Sequence, residues 1–251
     1  MALRCDLVIR DATIIDGSGR AGFRGDVGVQ GDRIAAVGDL GAASGAREVA
    51  ANGRVLAPGF IDAHTHDDQI VLQGAQCMCC KLSQGVTSVV VGNCGISLSP
   101  VRMATRPPAP LDQVCAPEWW KFGSFGEYAE HLRREPPAVN ALALIGHMSL
   151  RVGAMEGDTQ RAATDGEAER MRAWLAESLT DGAAGFSTGL FYPPSKHAPT
   201  DEVIAVAEAL RAHRGLYVTH MRDEANHVLD SIKETLHIGE SVGAPVVTTL
   251  M

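Results

Sequence analysis

The sequence lacks any run of apolar residues near the roughly 18 needed to cross a bilayer, so no membrane-spanning helix is expected. Basic residues are in deficit: 22 Lys and Arg stand against 30 Asp and Glu, and the formal net charge of −8 argues against a protein that coats nucleic acid or an anionic membrane. Cysteine is sparse, with six in 251 residues, which excludes a disulfide-stapled scaffold. The N-terminus has no basic segment followed by an apolar core, so no signal peptide is expected and the chain is predicted to be cytoplasmic.

The first 57 residues predict a separate β module. Short β-prone stretches alternate with turns that contain glycine, and no helical period runs through them. Gly31 and Asp32 form a predicted tight turn between strands at 26–30 and 33–37, which is the pattern of a hairpin. We therefore expect residues 1–57 to form strands of their own, outside the sheet of the following segment.

The pattern changes at Pro58 and Gly59, after which predicted strands alternate with predicted helices. Such alternation is typical of a parallel sheet with right-handed crossovers. Strands are expected at 60–63, 86–91, 139–145, 183–188, 216–219 and 244–250, and helices at 77–84, 125–134, 166–179, 200–213 and 224–242. Six strands are fewer than the eight of a closed (β/α)8 barrel, so residues 58–251 form either an open doubly wound sheet or the first three quarters of a barrel.

The sharpest chemical signal is His64-Thr65-His66, which ends the first of these strands. Side chains two residues apart share a face of a strand, so both imidazoles project to the same side. Catalytic groups of parallel barrels lie at the carboxyl ends of the strands, where two imidazoles suit a metal ion. Asp62 shares their face and is expected to orient a ligand as a hydrogen-bond acceptor. Two surface histidines without a ligand are the alternative interpretation.

Two further strands end in residue types that bind metals. Cys94 follows the second strand among glycines, and its thiolate would be a strong zinc ligand. His220 ends the fifth strand. We expect both to join His64 and His66 at the carboxyl ends of the strands, where this donor set favours zinc over magnesium or calcium. Taken singly, Cys94 is typical of a small buried hydrophobic residue, and His220 of an isolated strand-end histidine.

Three other residues are predicted to contact a substrate near the same site. Phe191 and Tyr192 follow the fourth strand, and His147 ends the third, where it is expected either behind a metal ligand or in contact with the substrate. For the two aromatic residues, the alternative is a surface loop stiffened by Pro193 and Pro194.

The remaining cysteine-rich stretch is interpreted as structural. Cys77, Cys79 and Cys80 lie within one predicted helix. A single helical turn cannot assemble a tetrahedral metal site from these three thiols alone. We therefore expect them to pack in the core.

Together these motifs resemble those of the N-acyl-D-amino-acid deacylases, or D-aminoacylases, of the amidohydrolase superfamily. The resemblance covers nearly the whole chain and rests on five stretches: PGFIDAHTH at 58–66, GNCG at 92–95, GH at 146–147, FSTGL at 186–190 and THMRDE at 219–224. It implies a zinc-dependent (β/α)8 metallo-barrel flanked by a β-sandwich, to which residues 1–57 contribute. It also implies hydrolysis of the amide bond of a small-molecule N-acyl-D-amino acid.

The resemblance further implies a role for each candidate ligand. Cys94 and His220 bind the tight zinc, Cys94 is able to bridge two metals, and His64 and His66 belong to a second, weaker metal position. The two aromatic residues after the fourth strand line the substrate pocket. Zinc lowers the pKa of its bound water from 15.7 to about 7 and polarises the amide carbonyl. A carboxylate then takes the proton of the water and passes it to the leaving amine.

The chain departs from the family pattern after its sixth strand. The family's next metal histidine follows that strand, whereas here residues 246–251 read VVTTLM and the sequence stops. The aspartate at strand eight, which is the family's general base, has no counterpart, so no catalytic residue is identified within the chain. We therefore expect a C-terminally truncated protein with little or no activity by itself.

Two other functions remain open. One is a cyclic-amide amidohydrolase of the dihydropyrimidinase or dihydroorotase type, although the fourth strand offers no lysine at its end and Cys94 also argues against this function. The other is a non-catalytic interaction protein on an amidohydrolase scaffold, which the missing general base favours and the four metal-type residues do not. The sequence predicts neither the preferred acyl group and side chain nor the oligomeric state.

Overall fold

The computed structural model describes residues 3–249 of the chain. The chain divides into two compact units, residues 1–59 and 60–251. The division lies two residues beyond the position at which the sequence pattern changes. The helices between residues 3 and 249 are too short or too polar to span a lipid bilayer.

The first unit is a five-stranded sheet. Its strands are β1 (Arg4–Ile14), β2 (Phe23–Gln30), β3 (Arg33–Gly38), β4 (Ser44–Ala50) and β5 (Val55–Leu56). Strand β1 is central, since it pairs antiparallel with β2 and parallel with β4 and β5, and β3 continues the sheet beyond β2. Its small core consists of Ala12, Ile14 and Val27. These strands pair with one another and not with those of the second sheet, while their membership of a β-sandwich stays a prediction.

The second unit contains a six-stranded, fully parallel sheet. Its strands are β6 (Phe60–Asp62), β7 (Val86–Val91), β8 (Asn140–Gly146), β9 (Gly185–Gly189), β10 (Leu216–His220) and β11 (Val246–Thr249). All six strands predicted after residue 57 are present, within a few residues of their expected bounds. The β-branched run of β7 forms the strand that its composition favours.

The order of these strands decides between the two architectures left open by the sequence. Each strand pairs with the next one along the chain, from β6 to β11, without a reversal. A doubly wound sheet reverses its strand order near the middle, whereas a (β/α)8 barrel adds each strand beside the last. The predicted incomplete barrel is therefore confirmed as the fold of the second unit.

Helices cover the connections between these strands. They are α1 (Cys79–Leu82), α2 (Leu111–Val114), α3 (Phe125–Arg134), α4 (His147–Ala154), α5 (Asp165–Thr180), α6 (Pro193–Lys196), α7 (Thr200–Ala207), α8 (Leu210–His213) and α9 (Val228–Val242). Three of the predicted helices differ from the structure. The helix predicted at 77–84 is a 3-10 turn followed by α1, the one at 200–213 is divided into α7 and α8, and the one at 224–242 begins only at Val228.

Local chemistry explains where the longest helix begins. The Thr164 hydroxyl accepts a hydrogen bond from the backbone N–H of Glu167, and the Glu167 carboxylate accepts one from the backbone N–H of Thr164. This reciprocal capping box satisfies two helix-terminal donors and makes Thr164 the N-cap of α5. At α7, Pro199 precedes the helix in extended geometry and Thr200 is the first helical residue.

The core interpretation of the cysteine-rich stretch is also wrong. Cys77, Cys79 and Cys80 are exposed free thiols, whereas Met78 between them is fully buried. One short helical turn can direct only part of its surface towards the core, and here that part is occupied by the methionine.

Candidate metal centre

The predicted metal ligands converge at the carboxyl edge of the parallel sheet. His64 and His66 lie in the loop just after β6, Cys94 lies in the turn after β7, and His220 is the last residue of β10. Strands β7 and β10 are separated in the sheet by β8 and β9. Contact between Cys94 and His220 therefore requires the sheet to curve, as the wall of a barrel does.

The distances between these four side chains define one cluster, which we call the His–Cys cluster. His64 Nε2 lies 3.2 Å from Cys94 Sγ, and His220 Nδ1 lies 3.9 Å from the same sulfur. One potential ligand atom from each of His64, His66 and Cys94 fits within a mutual distance of 4.8 Å. The structure thus brings together all four side chains that the sequence singled out as metal ligands.

Tight glycine packing explains how Cys94 is presented to the cluster. Its backbone is left-handed, with φ of 54°, and Gly92 and Gly95 on either side also have positive φ. A Cβ added at Gly92 would lie 2.2 Å from the carbonyl oxygen of Leu144, and one added at Gly189 would lie 2.2 Å from that of Cys94. Only glycine fits at these positions, so the neighbouring strand ends approach closely enough to hold the sulfur in place.

Two carboxylates that the sequence analysis missed support the imidazoles. His66 Nδ1 lies 3.8 Å from an oxygen of Asp68, and His220 Nε2 lies 3.5 Å from an oxygen of Glu224. The other Asp68 oxygen accepts a hydrogen bond from the backbone N–H of Gly92 at 2.7 Å. A carboxylate on the far nitrogen of an imidazole fixes the ring and its tautomer for metal binding. These two contacts are only weakly indicated by the sequence: Asp68 follows His66, and Glu224 follows His220, by one helical turn or less.

Asp62 supports the cluster in a different way from the one predicted. Its carboxylate accepts a hydrogen bond from the backbone N–H of His64 at 3.3 Å and binds Lys81 Nζ at 2.5 Å. Lys81 Nζ also lies 3.0 Å from an oxygen of Asp67 and donates to the Thr65 hydroxyl at 3.1 Å. Asp62 therefore orients the loop that carries His64 through its backbone, and its contact is not with the imidazole ring.

The electrostatics of the His–Cys cluster favour a thiolate at Cys94 beside a protonated His66. Burial raises the pKa of the Cys94 thiol, but the neighbouring imidazoles of His220, His64 and His66 outweigh burial and lower that pKa to about 5. The neighbouring Asp68 carboxylate and, next, the Cys94 thiolate raise the pKa of His66 to about 10, against the effect of burial. Interaction with Cys94 also raises the pKa of His220. The sulfur is therefore already in the charge state that a metal ion requires.

These residues fit a zinc ion by their chemistry and by their unmet hydrogen bonds. One thiolate and three imidazoles are the ligand types that zinc prefers. His66 Nδ1, Asp68 Oδ2 and Glu224 Oε1 are buried without a hydrogen-bond partner in the described part of the chain. Buried polar atoms are rarely left unpaired, and small rotations of His66 and His220 towards a bound cation would pair them.

We expect the zinc affinity of the chain to rise with pH between pH 6 and 8. Zinc binds the thiolate and neutral imidazoles, so binding must release the proton that His66, with a pKa of about 10, carries in this range. One released proton steepens the apparent affinity by about tenfold per pH unit. Titration against a chelator of known affinity at pH 6, 7 and 8 measures the slope, and a flat profile would contradict a protonated His66.

The predicted substrate contacts Phe191 and Tyr192 lie beside the His–Cys cluster. Their ring centroids lie 5.9 Å and 5.0 Å from that of His220, and the Tyr192 hydroxyl is 3.5 Å from His220 Nδ1. Phe191 is 57% exposed. Burial, with a further contribution from Cys94, raises the pKa of Tyr192 to about 12, so its hydroxyl stays protonated and able to donate a hydrogen bond.

Comparison with known proteins identifies the family. The sequence pattern of the amidohydrolase family matches residues 47–246. The chain belongs to the amidohydrolase family. It is 50% identical over 242 residues to a D-aminoacylase of Alcaligenes xylosoxydans xylosoxydans, an alignment that covers 96% of this chain and 49% of the relative.

Solved structures agree with this assignment. The crystal structure of a D-aminoacylase superposes with a TM-score of 0.94 at 49% identity, covering 97% of this chain and 51% of the other. A second structure is that of an N-acyl-D-glutamate deacylase from Bordetella bronchiseptica, solved with zinc and a phosphonate inhibitor. It superposes with a TM-score of 0.90 at 38% identity, and the match covers 97% of this chain and 50% of the deacylase. This amidohydrolase chain therefore spans about half the length of the relatives that it matches.

His147 lies in a different environment from the one expected of a substrate contact. It is the first residue of α4, is fully buried, and places Nε2 3.3 Å from an oxygen of Glu202. Its ring also packs edge-on against Phe186. Burial lowers the pKa of His147, which favours a neutral ring. Its predicted contact with substrate is untested and stays a prediction.

Beside His147, a buried arginine joins three segments of the second unit. Arg151 is fully buried, pairs with Glu202, and donates hydrogen bonds to the carbonyls of Pro194 at 2.7 Å and Arg161 at 2.6 Å. The Pro194 carbonyl belongs to the segment that also carries Phe191 and Tyr192. The Arg151–Glu202 ion pair therefore connects the segment that contains Phe191 and Tyr192 to helices α4 and α7.

We expect Arg151→Met to lower the free energy of unfolding by about 3–5 kcal/mol, because the change leaves Glu202 buried without its cation. Urea unfolding followed by circular dichroism measures the effect. The matched control is Arg102→Met, since Arg102 pairs with Glu127 at the exposed surface and its removal should have a much smaller effect. Equal losses in the two variants would contradict a special role for the buried pair.

Proposed function

We propose that this chain supplies the metal-binding half of a zinc-dependent hydrolase that cleaves the amide bond of N-acyl-D-amino acids. The observation that carries the proposal is the convergence of Cys94 and His220 with two further imidazoles at one edge of the sheet. The named relatives, a D-aminoacylase and an N-acyl-D-glutamate deacylase, support the substrate class. The zinc present in the latter structure supports the metal.

We assign Cys94 and His220 to a tight zinc position and His64 and His66 to a second, weaker one. The thiolate lies between the two pairs, within 3.2 Å of His64 Nε2 and 3.9 Å of His220 Nδ1, so its position suits a bridging ligand. A zinc ion bound there supplies Lewis-acid polarisation of the substrate carbonyl and a water of lowered pKa.

The other residues of the site hold its parts in place. Asp68 lies 3.8 Å from His66 Nδ1 and Glu224 lies 3.5 Å from His220 Nε2, so each carboxylate is placed to accept the far N–H of its imidazole when the ring turns towards a bound metal. Phe191 and Tyr192 form an aromatic wall beside His220, and the protonated Tyr192 hydroxyl is available to a substrate oxygen. A contact between His147 and the substrate stays a prediction from the sequence.

We assign no general base within the described cluster. Asp68 faces His66 and Glu224 faces His220, so both nearby carboxylates are placed to support an imidazole of the cluster. The proton that leaves the attacking water therefore requires an acceptor other than these two carboxylates.

We place the reaction in the cytoplasm. All six cysteines are free thiols in the structure, which is typical of a reducing compartment. The proposed partner is a small N-acyl amino acid, and the acidic balance of the chain does not favour a nucleic acid or an anionic membrane.

The test is a chimera in which this chain replaces the matching half of the Alcaligenes D-aminoacylase. We expect the chimera to hydrolyse N-acetyl-D-amino acids in preference to the L-enantiomers and to require zinc. Cys94→Ala in the chimera should lower kcat/KM by at least about 100-fold, while the exposed Cys79→Ala should leave it unchanged. A folded chimera that is inactive, or active without Cys94, would contradict the proposed function.

A further inference from the structure

Three exposed thiols lie in the turn directly before Lys81, outside the His–Cys cluster. Cys77 belongs to a 3-10 turn, Ala75–Met78, and Cys79 and Cys80 begin α1 directly after it. All three are free and exposed, whereas Met78 is fully buried and anchors the turn. Exposed thiols of this kind are open to exchange with disulfides in solution.

The turn brings the backbones of Cys77 and Cys80 within the range of a disulfide, and closure requires the Cys77 thiol to rotate away from the carbonyl of Gln73, to which it donates at 3.5 Å. Residues three apart in a 3-10 or α-helical turn lie one above the other, with Cα atoms about 5–6 Å apart. This separation falls inside the range of about 4.4–6.8 Å that a disulfide requires. Cys77-Met78-Cys79-Cys80 is therefore a C-x-x-C dithiol in a conformation compatible with closure.

Cys79 is directed elsewhere. It lies two residues after Cys77, on the far side of the turn, and its thiol donates to the carbonyl of Gln76 at 3.2 Å. It therefore serves as a matched control, exposed like the other two thiols but outside the pair.

Lys81 connects this turn to the candidate metal centre. It follows Cys80 directly, and its ammonium group binds the carboxylates of Asp62 and Asp67. Asp62 in turn accepts the backbone N–H of His64. A covalent bond across the turn immediately before Lys81 would alter the position from which this ammonium group reaches the loop that carries His64.

We propose that Cys77 and Cys80 form a reversible dithiol–disulfide pair whose closure weakens metal binding at the His–Cys cluster. A low-molecular-weight disulfide such as oxidised glutathione supplies the oxidising equivalents. One thiolate of the pair attacks it, forms a mixed disulfide and releases one glutathione thiolate. The second thiolate then attacks the protein sulfur of the mixed disulfide, closes the Cys77–Cys80 bond and releases the second glutathione.

The first arm of the test locates the disulfide. The zinc-loaded 251-residue chain, in which zinc shields Cys94, is equilibrated with oxidised and reduced glutathione and analysed by mass spectrometry. We expect the loss of two hydrogen atoms at Cys77 and Cys80 both in the parent chain, where Cys79 carries at most a glutathione adduct, and in Cys79→Ser. Cys77→Ser and Cys80→Ser should instead stop at a glutathione adduct. Absence of an internal disulfide, or one that needs Cys79, would overturn the proposal.

The second arm measures its effect on the metal centre, and this arm rests on the proposed zinc site. After removal of zinc without air, cobalt affinity should be about tenfold lower in the oxidised parent and in oxidised Cys79→Ser than in their reduced forms, and unchanged in Cys77→Ser. Equal affinities in both redox states would overturn the proposed coupling. The metal content of the reduced chain shows separately whether the zinc site itself exists.

Discussion

Cys94→Ala is expected to retain less than about a tenth of the zinc that the parent chain binds at the same free zinc concentration. Cys94 lies within 4 Å of imidazoles from two separate strand ends, His64 and His220, so its removal separates the two proposed pairs of ligands. Its thiolate is also the only anionic ligand proposed for the cluster. Elemental analysis after dialysis against buffered zinc measures the loss.

A second buried cysteine provides the control. Cys115 is as inaccessible to solvent as Cys94, but burial raises its pKa, so its sulfur stays a neutral thiol. Cys115→Ala should therefore keep the zinc content of the parent chain. Full zinc retention in Cys94→Ala, together with a loss in Cys77→Ala or Cys80→Ala, would move the metal to the exposed thiols.

The 251-residue chain by itself is expected to hydrolyse N-acetyl-D-amino acids about 10²–10⁴-fold more slowly than the chimera with the D-aminoacylase half. General acid–base catalysis contributes about this factor, and Asp68 and Glu224 each lie against an imidazole of the cluster, where they support the ring. The sheet also has two edges in the described residues, because β6 and β11 each pair with one neighbour only. An open sheet holds ligands less precisely than the roughly 0.5 Å that catalysis requires.

The measurement is a comparison of kcat/KM for the two proteins at equal zinc occupancy. A chimera carrying Cys94→Ala gives the background rate. Turnover by the 251-residue chain equal to that of the intact chimera would contradict the prediction and would mean that the proton acceptor lies within residues 1–251.

The fold and the positions of the candidate metal ligands could be predicted from the sequence because strand alternation and strand-end chemistry are local properties. The β-branched run at 86–91 and the histidines after residue 63 each indicate their structure within a few residues of chain. The parallel order then places every strand end at one edge of the sheet. The shared edge was sufficient to predict that His64, Cys94 and His220 lie near one another.

The remaining features depend on contacts between distant segments. Helix α4 was missed because it begins at His147, with no linker after β8, and six of its eight residues are buried, which leaves no amphipathic period. Asp62 was assigned to an imidazole because spacing alone does not show that Lys81, nineteen residues later, binds its carboxylate. Cys79 is exposed because Met78, its neighbour in the same turn, occupies the side of the turn that packs against the core.

The most direct test of the account is anomalous diffraction at the zinc edge from crystals of the chain grown with zinc. We expect an anomalous peak at bonding distance, about 2.0–2.3 Å, from Cys94 Sγ and a nitrogen of His220. Any second peak should lie beside His64 and His66. A zinc peak at Cys77 and Cys80, with none at Cys94, would contradict this expectation.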